Sequence, residues 1–198
     1  NSFILAGASI FIQLPISFIL ALILSRGVKG EKYFRTIYFI PVVISSMVIG
    51  QLWMRIFRSD YGLLNIFIRA LGPKDFEFSW LSEPKTAFLS TVVPAVWQYI
   101  GYHMLIYYAG IKSISPDYYE AAQIDGATRF QRMIHIELPG ILPTAAVLMI
   151  MRFGSVMNVG FEKVYLMQNS LNQSYSEVIS TYVYKVGMQA GYNNFSYA

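Results

Sequence analysis

Four stretches of the chain are nearly free of ionised side chains, and short charged segments separate them. Phe3 to Leu24 has no charge over 22 residues. At about 1.5 Å per residue, a helix of that length crosses a hydrocarbon core of about 30 Å. Thr36 to Met54 is uncharged over 19 residues, and the span drawn on it covers 36–57. Thr86 to Ile111 holds only tyrosines and His103 as titratable groups, and Ile141 to Phe161 is apolar apart from Arg152. Spans are therefore expected at about 3–24, 36–57, 86–111 and 141–161. Backbone amides inside lipid must pair within their own segment, and barrel strands would show short alternating runs, so each run reads as a helix. The predicted fold class is an all-α integral membrane protein, a polytopic helical bundle. The first run is too long for a signal-peptide core and leads into SRGVKGEKYFR rather than a small-residue cleavage site, which argues against a removable leader.

The segments between the spans carry their own helix signals. In 58–85, Leu63, Leu64, Phe67 and Leu71 recur at helical spacing before Gly72-Pro73, predicting a short amphipathic helix at the membrane surface. In 162–190, Ser174 and Glu177 have the spacing of a capping box, and Val178, Ile179, Tyr182, Val183 and Val186 form one apolar stripe ending at Gly187, predicting a second interfacial helix. The 112–140 connection predicts two short helices. Ser115-Pro116 starts the first, Asp125-Gly126 closes it, Thr128 and Gln131 cap the second, and Pro139 is expected to end it. Phe130, Met133 and Ile134 give the second helix an apolar face, while Ala121 and Ala122 leave little bulk where another protein's surface could approach. Each span holds a proline, at Pro15, Pro41, Pro94 and Pro143. These are either kinks used in a pathway or the ordinary membrane-helix frequency of proline.

Composition sharpens the class. Hydrophobic residues make up 55% of the chain and charged ones 13%, against roughly 45–50% and about 25% in soluble domains. The absence of cysteine excludes disulfides, thiolate metal sites and a cysteine nucleophile. A formal charge of +4 with no dense Lys/Arg block makes nucleic acid a poor partner. The raw charge count does not decide orientation, although Arg26, Lys29, Lys32 and Arg35 crowd the first loop and favour it as cytoplasmic. A start at Asn1 and an end at NNFSYA suggest a fragment of a longer chain of about six spans.

The string Glu120-Ala121-Ala122, three residues, Gly126, nine residues, then Ile136-Glu137-Leu138-Pro139 matches E-A-A-x3-G-x9-I-x-L-P at every defined position. It resembles the EAA loop of permease subunits in binding-protein-dependent ATP-binding-cassette importers. YYEAAQIDGAT is similar to the carbohydrate-uptake branch, the maltose permease subunits among them. GFEKVYLMQN with SEVISTYVYKVG looks like the subgroup handling oligo- and polysaccharides. The resemblance implies a type I importer permease in a bacterial inner membrane. It places the EAA loop and the first loop in the cytoplasm and 58–85 and 162–190 outside. The implied partners are a cytoplasmic ATPase dimer, a second homologous permease, an extracytoplasmic solute-binding protein and a saccharide, acidic or neutral. Glu120, Ala121, Ala122, Asp125, Gly126, Arg129 and Arg132 become the ATPase-coupling residues. The chain has no G-x-x-x-x-G-K-[ST], so ATP and Mg belong to the partner ATPase, and neither a cofactor nor a metal is expected on this chain.

The residues themselves keep other readings open. Gln51, Trp97, Gln98, Tyr99, Tyr102, Arg152 and Asn158 combine aromatic faces with polar groups, the chemistry that sugars require, and are the candidate substrate pathway. Aromatic belts and helix packing explain the same residues. Arg152 either contacts an acidic sugar or gate, or pairs within the bundle. His103 either lines the pathway or bonds a neighbouring helix, and His135 reads as solvated or docking. VMNVG before Phe161-Glu162 is less polar than the Asn-rich stretch of maltose-type permeases. The rival classes are a membrane scaffold that recruits a partner through its loop and a membrane hydrolase or transferase using His103 and His135.

Overall fold

The computed structural model describes residues 1–72, 75–155 and 161–189. Helices account for the regular structure, and among the described residues no β-strand occurs. The first run forms α1 (Ser2–Ala8), a π-helical turn (Ser9–Gln13) and α2 (Leu14–Ser25). Together they give 24 residues long and apolar enough to cross a membrane. Gly27 and Gly30 adopt φ of 74° and 84°, left-handed values that glycine reaches without a Cβ clash, and turn the chain into α3 (Glu31–Val43).

The run at 36–57 is not one continuous helix. α3 stops at Val43 and α4 (Ser46–Ile56) starts afresh, the Ser45 hydroxyl accepting the Met47 N–H at 3.3 Å. Val42, Val43 and Ile44 are stiff β-branched residues, and they meet a serine whose hydroxyl offers the backbone a cap instead of another helical turn. α5 (Leu63–Leu71) forms as the spacing predicts and leaves Leu63, Ile66, Phe67 and Leu71 exposed.

α6 (Pro84–Lys112) is 29 residues long and runs through Pro94. Its polar side chains Ser90, Thr91, Gln98 and His103 are all at most 4% exposed, so they face protein, as polar groups in a membrane helix must. α7 (Pro116–Ile124) and α8 (Arg129–Arg132) follow, then a π-helical turn (Met133–Glu137) and α9 (Leu138–Gly154). Pro139 does not end the helix. Arg129–Gly154 forms a second membrane-length apolar stretch of 26 residues. In both long stretches a π turn comes immediately before a Leu-Pro pair, Leu14-Pro15 and Leu138-Pro139. The widened turn takes up the carbonyl that the proline ring crowds and cannot bond.

The C-terminal helices are α10 (Phe161–Met167), α11 (Gln173–Ser176) and α12 (Ile179–Tyr184). Here Ser174 and Glu177 do not form the expected capping box. Glu177 is extended and its carboxylate takes Lys185 Nζ at 3.0 Å, while the Val178 N–H donates to Thr181 Oγ1 at 3.0 Å. The Glu177 N–H donates to the Gln173 carbonyl at 3.1 Å and its carboxylate is held by Lys185, so neither group is left for the box.

The chain divides into two compact units. One contains 1–8, 44–98 and the described part of 155–198, the other 9–43 and 99–154. In the first, α4 packs on α10 through Ile49, Val164 and Met167, each 1% exposed. Gly50 there would place a Cβ 3.1 Å from Leu166 Cδ1. In the second, Leu14, Leu22, Met104, Tyr107, Ile111, Ile141 and Leu148 form the core. Phe18 meets Tyr107 edge-on at 5.8 Å. Lipid tails are as apolar as these side chains, so close packing rather than escape from water selects the arrangement. The tightest approach is Gly101 on α6, where a Cβ would fall onto the Tyr38 carbonyl of α3.

Gly101→Ala is therefore expected to destabilise the second unit by about 3 kcal/mol, the upper end for overpacking, because backbone rather than a flexible side chain must give way. Gly110→Ala, whose Cβ would meet Thr144 Oγ1 at 3.2 Å, should cost far less. Thermal unfolding of both variants in detergent checks the difference.

Candidate functional site

The 112–140 connection folds as a protruding helix pair. Ser115 Oγ accepts the Asp117 N–H at 3.3 Å with Pro116 in the first turn, starting α7. At its other end the Ala127 N–H donates to the Ala122 carbonyl at 2.8 Å and the Gly126 N–H to the Gln123 carbonyl at 3.2 Å. This is a Schellman closure, with Gly126 at φ 70° as the left-handed residue. The Thr128 N–H donates to Gln131 Oε1 at 2.7 Å, and the Gln131 N–H to Thr128 Oγ1 at 3.3 Å, the reciprocal box that the spacing predicts. The start of α7, its end and the start of α8 are thus satisfied by residues 115–131 themselves, and the bend needs nothing from elsewhere.

Ala121 is exposed beside Glu120, whose carboxylate has no hydrogen-bond or ion-pair partner among the described residues. Arg129 and Asp125 are exposed, and Arg132 is half-buried. The sequence reading passed over three apolar side chains on the same surface: Ile124 is 86%, Phe130 65% and Tyr118 64% exposed. The spacing sets Phe130 with Met133 and Ile134 on one apolar face, and Ile124 stands beside the helix-closing Asp125-Gly126, so neither reads as bare from the sequence. These bare apolar side chains stand beside the polar groups of the loop.

Behind the pair lies a cavity of about 550 Å³ that Arg26, Lys112, Glu120, Arg132 and Glu137 help to line. Glu137 is buried, with one carboxylate oxygen unpartnered. Burial first, then the charge of Glu137, raises the pKa of the Tyr119 phenol above its usual value, keeping it a neutral donor in the cavity wall.

The candidate pathway residues fall into two groups. In the first unit, Gln51 is exposed on α4, Trp97 meets Trp53 edge-on at 5.7 Å, and Gln98 is buried with Nε2 donating to the Ile44 carbonyl at 3.3 Å. In the second, Arg152 lies over the Tyr99 ring at 5.3 Å, with Nη2 3.4 Å from His103 Nε2, and Tyr102 packs edge-on to the same imidazole. His103 Nδ1 sits 2.8 Å from the Tyr99 carbonyl and 3.0 Å from the Gln13 amide. His103 therefore ties its helix to Gln13 on a neighbour. His135 Nδ1 stays within its own helix, 2.9 Å from the Gln131 carbonyl. Asn158 lies outside the described residues.

Among the described residues the chain is helical, with apolar stretches of membrane length and an exposed helix pair, the features of a polytopic membrane protein. The chain belongs to the family of binding-protein-dependent transport system inner membrane components, whose model matches residues 13–195. Protein LplB of Bacillus subtilis (strain 168) is 35% identical over 200 residues, covering 100% of this chain and 62% of the relative. A polygalacturonan/rhamnogalacturonan transport system permease protein, YteP, of the same organism is 34% identical, covering 100% and 61%. The chain thus spans about three fifths of the length of these curated relatives. A bacterial ABC transporter involved in the import of the acidic polysaccharide alginate matches with a TM-score of 0.90 at 32% identity, covering 98% of this chain and 68% of that one. The fold is that of a type I ABC importer permease.

Gly126→Ala forces a Cβ into the left-handed region at about 1–2 kcal/mol, whereas Gly126→Asn is tolerated there. Amides of residues 121–132 should exchange with deuterium several-fold faster in the alanine variant and near the wild-type rate in the asparagine variant, as read by exchange mass spectrometry.

Proposed function

We propose that this chain is the membrane-spanning subunit of an ATP-driven importer of oligo- or polysaccharides containing acidic sugars, driven through the helix pair at 116–132. The observation that carries the reading is the junction of α8 with α9. The pair that bares Ile124 and Phe130 is continuous, through the π turn, with the apolar stretch ending at Gly154. A motor gripping that pair moves a membrane helix directly, without an intervening flexible loop. Such a contact transmits work only when it differs between two states of the motor. A cytoplasmic ATPase dimer is the matching partner, and it holds ATP and Mg. A second permease subunit and an extracytoplasmic binding protein complete the assembly.

The saccharide assignment is supported by relatives named for polygalacturonan/rhamnogalacturonan transport and for alginate import. A further similar structure is that of a bacterial alginate transporter in complex with an alginate pentasaccharide-bound periplasmic protein, at a TM-score of 0.89 and 34% identity. In this reading the first loop, at 26–30, and the 112–140 pair face the cytoplasm, and 58–85 faces out.

Glu120→Lys in the full transporter, reconstituted in vesicles with its binding protein, should reduce ATP-driven uptake at least about tenfold, the scale of losing a charge-assisted contact. Ile124→Asp should weaken ATPase binding to the permease, measured by co-purification. Uptake unchanged by Glu120→Lys would refute the coupling role. Normal uptake in a variant that no longer holds the ATPase would refute the importer reading itself.

A further inference from the structure

Arg152, which the sequence offers either as a contact to an acidic sugar or gate or as a pair within the bundle, rests against Tyr99 and His103. A different arginine stands free. On α4, Gln51 and Arg55 are four residues apart and therefore on one helix face, and both are exposed. Both line a cavity of about 470 Å³, within the range of about 300–1,000 Å³ common to ligand pockets. Met54, Ser59, Ser79 and Leu81 contribute to the rest of its wall.

The wall is held in place before any ligand arrives. Asn65 is fully buried and donates to the Ser59 carbonyl at 2.8 Å and the Phe78 carbonyl at 3.0 Å, while accepting Trp80 Nε1 at 2.7 Å. One side chain thereby fixes the stretches carrying Ser59 and Ser79, both of which line the cavity. The neighbouring cations are occupied. Arg58 pairs with Asp60 at 3.1 Å and lies over Tyr61 at 4.4 Å. Arg69 donates to the Phe76 carbonyl at 2.9 Å and the Asp60 carbonyl at 2.8 Å. Among the described residues, Arg55 has no ion-pair or hydrogen-bond partner, so its guanidinium fork is available.

A free fork matches a carboxylate with two parallel hydrogen bonds. An adjacent carboxamide and two hydroxyl-bearing walls suit ring hydroxyls, and Met54 and Leu81 offer apolar surface for a ring face. The structure assigns this cavity as a subsite for one uronate residue of the saccharide, with Arg55 holding the carboxylate and Gln51 a ring hydroxyl. The assignment rests on the importer reading, which puts 58–85 outside the membrane, where the saccharide enters.

The test uses the complete transporter in vesicles, with galacturonate and mannuronate trimers and their carboxyl-reduced, neutral counterparts. Arg55→Gln should raise KM for an acidic trimer about tenfold or more, the scale of one charge-assisted hydrogen bond, with less than a twofold change for its neutral counterpart. Arg55→Lys, which keeps the charge without the fork, should fall between and shows that the site tolerates substitution. An equal effect of Arg55→Gln on acidic and neutral trimers would mean a structural or binding-protein contact and overturns the subsite. So does an unchanged KM for the acidic trimer, or wild-type transport of neutral trimers alone. Wild-type vesicles that import none of the four under ATP, with the binding protein loaded, overturn the importer reading and the subsite together.

Discussion

Every peptide group in a lipid-embedded segment has to find its hydrogen-bond partner inside the protein, and this chain meets that requirement with prolines in its helices. A proline removes a donor and crowds the carbonyl one turn back, a cost of about 3 kcal/mol in a helix interior. At Pro15 and Pro139 the chain shifts to a π turn immediately upstream. The helix then continues instead of breaking. The continuity that results at Pro139 decides the mechanical character of the molecule, because it joins the protruding pair to α9 with no loop between them.

The amphipathic and capping signals were legible because they are local. Ser115-Pro116, Asp125-Gly126 and Thr128 with Gln131 each involve groups within five residues, and all three form as spaced. Leu63, Phe67 and Leu71 likewise specify α5. The fate of Pro139 was not legible, since proline reads as a stop and the widened turn that rescues it leaves no residue-type signature. Ser45 was missed for the opposite reason: a capping serine inside an uncharged run is invisible to a reading that counts only charge. The failure at Ser174 and Glu177 has a third cause. Lys185 takes the Glu177 carboxylate and the Gln173 carbonyl takes the Glu177 N–H, and those partners appear only when the chain is folded.

The polar residues of the membrane-length helices divide by whether protein already satisfies them. Gln13, Ser17 and His103 are at most 3% exposed. Ser17 Oγ donates to the Gln13 carbonyl at 2.7 Å and lies 2.9 Å from the Ile100 carbonyl, so this cluster acts as an interhelical tie. Arg152 joins it through His103 and the Tyr99 face. Residue type alone made Arg152 the conspicuous cation, since a charge in an apolar run is rare and costly. That same cost is why it is held against aromatic and imidazole groups, while Arg55, at the end of α4, can remain open.

A coupling element has to be stiff where it is gripped and yielding where it turns. The pair at 116–132 satisfies its own ends, from the Ser115 cap through the Schellman closure at Gly126 to the Thr128–Gln131 box, so it moves as one body. The turn that follows is the point of least regularity: its hydrogen bonds reach one residue further than those of the helices on either side, and it carries a buried carboxylate, Glu137, with an unpartnered oxygen. An unsatisfied buried acceptor keeps its desolvation cost until a donor arrives, and Arg26 and Arg132 line the same cavity. The place that lets the helix continue past Pro139 is therefore also where its hydrogen bonding is least regular and a buried acceptor is left open.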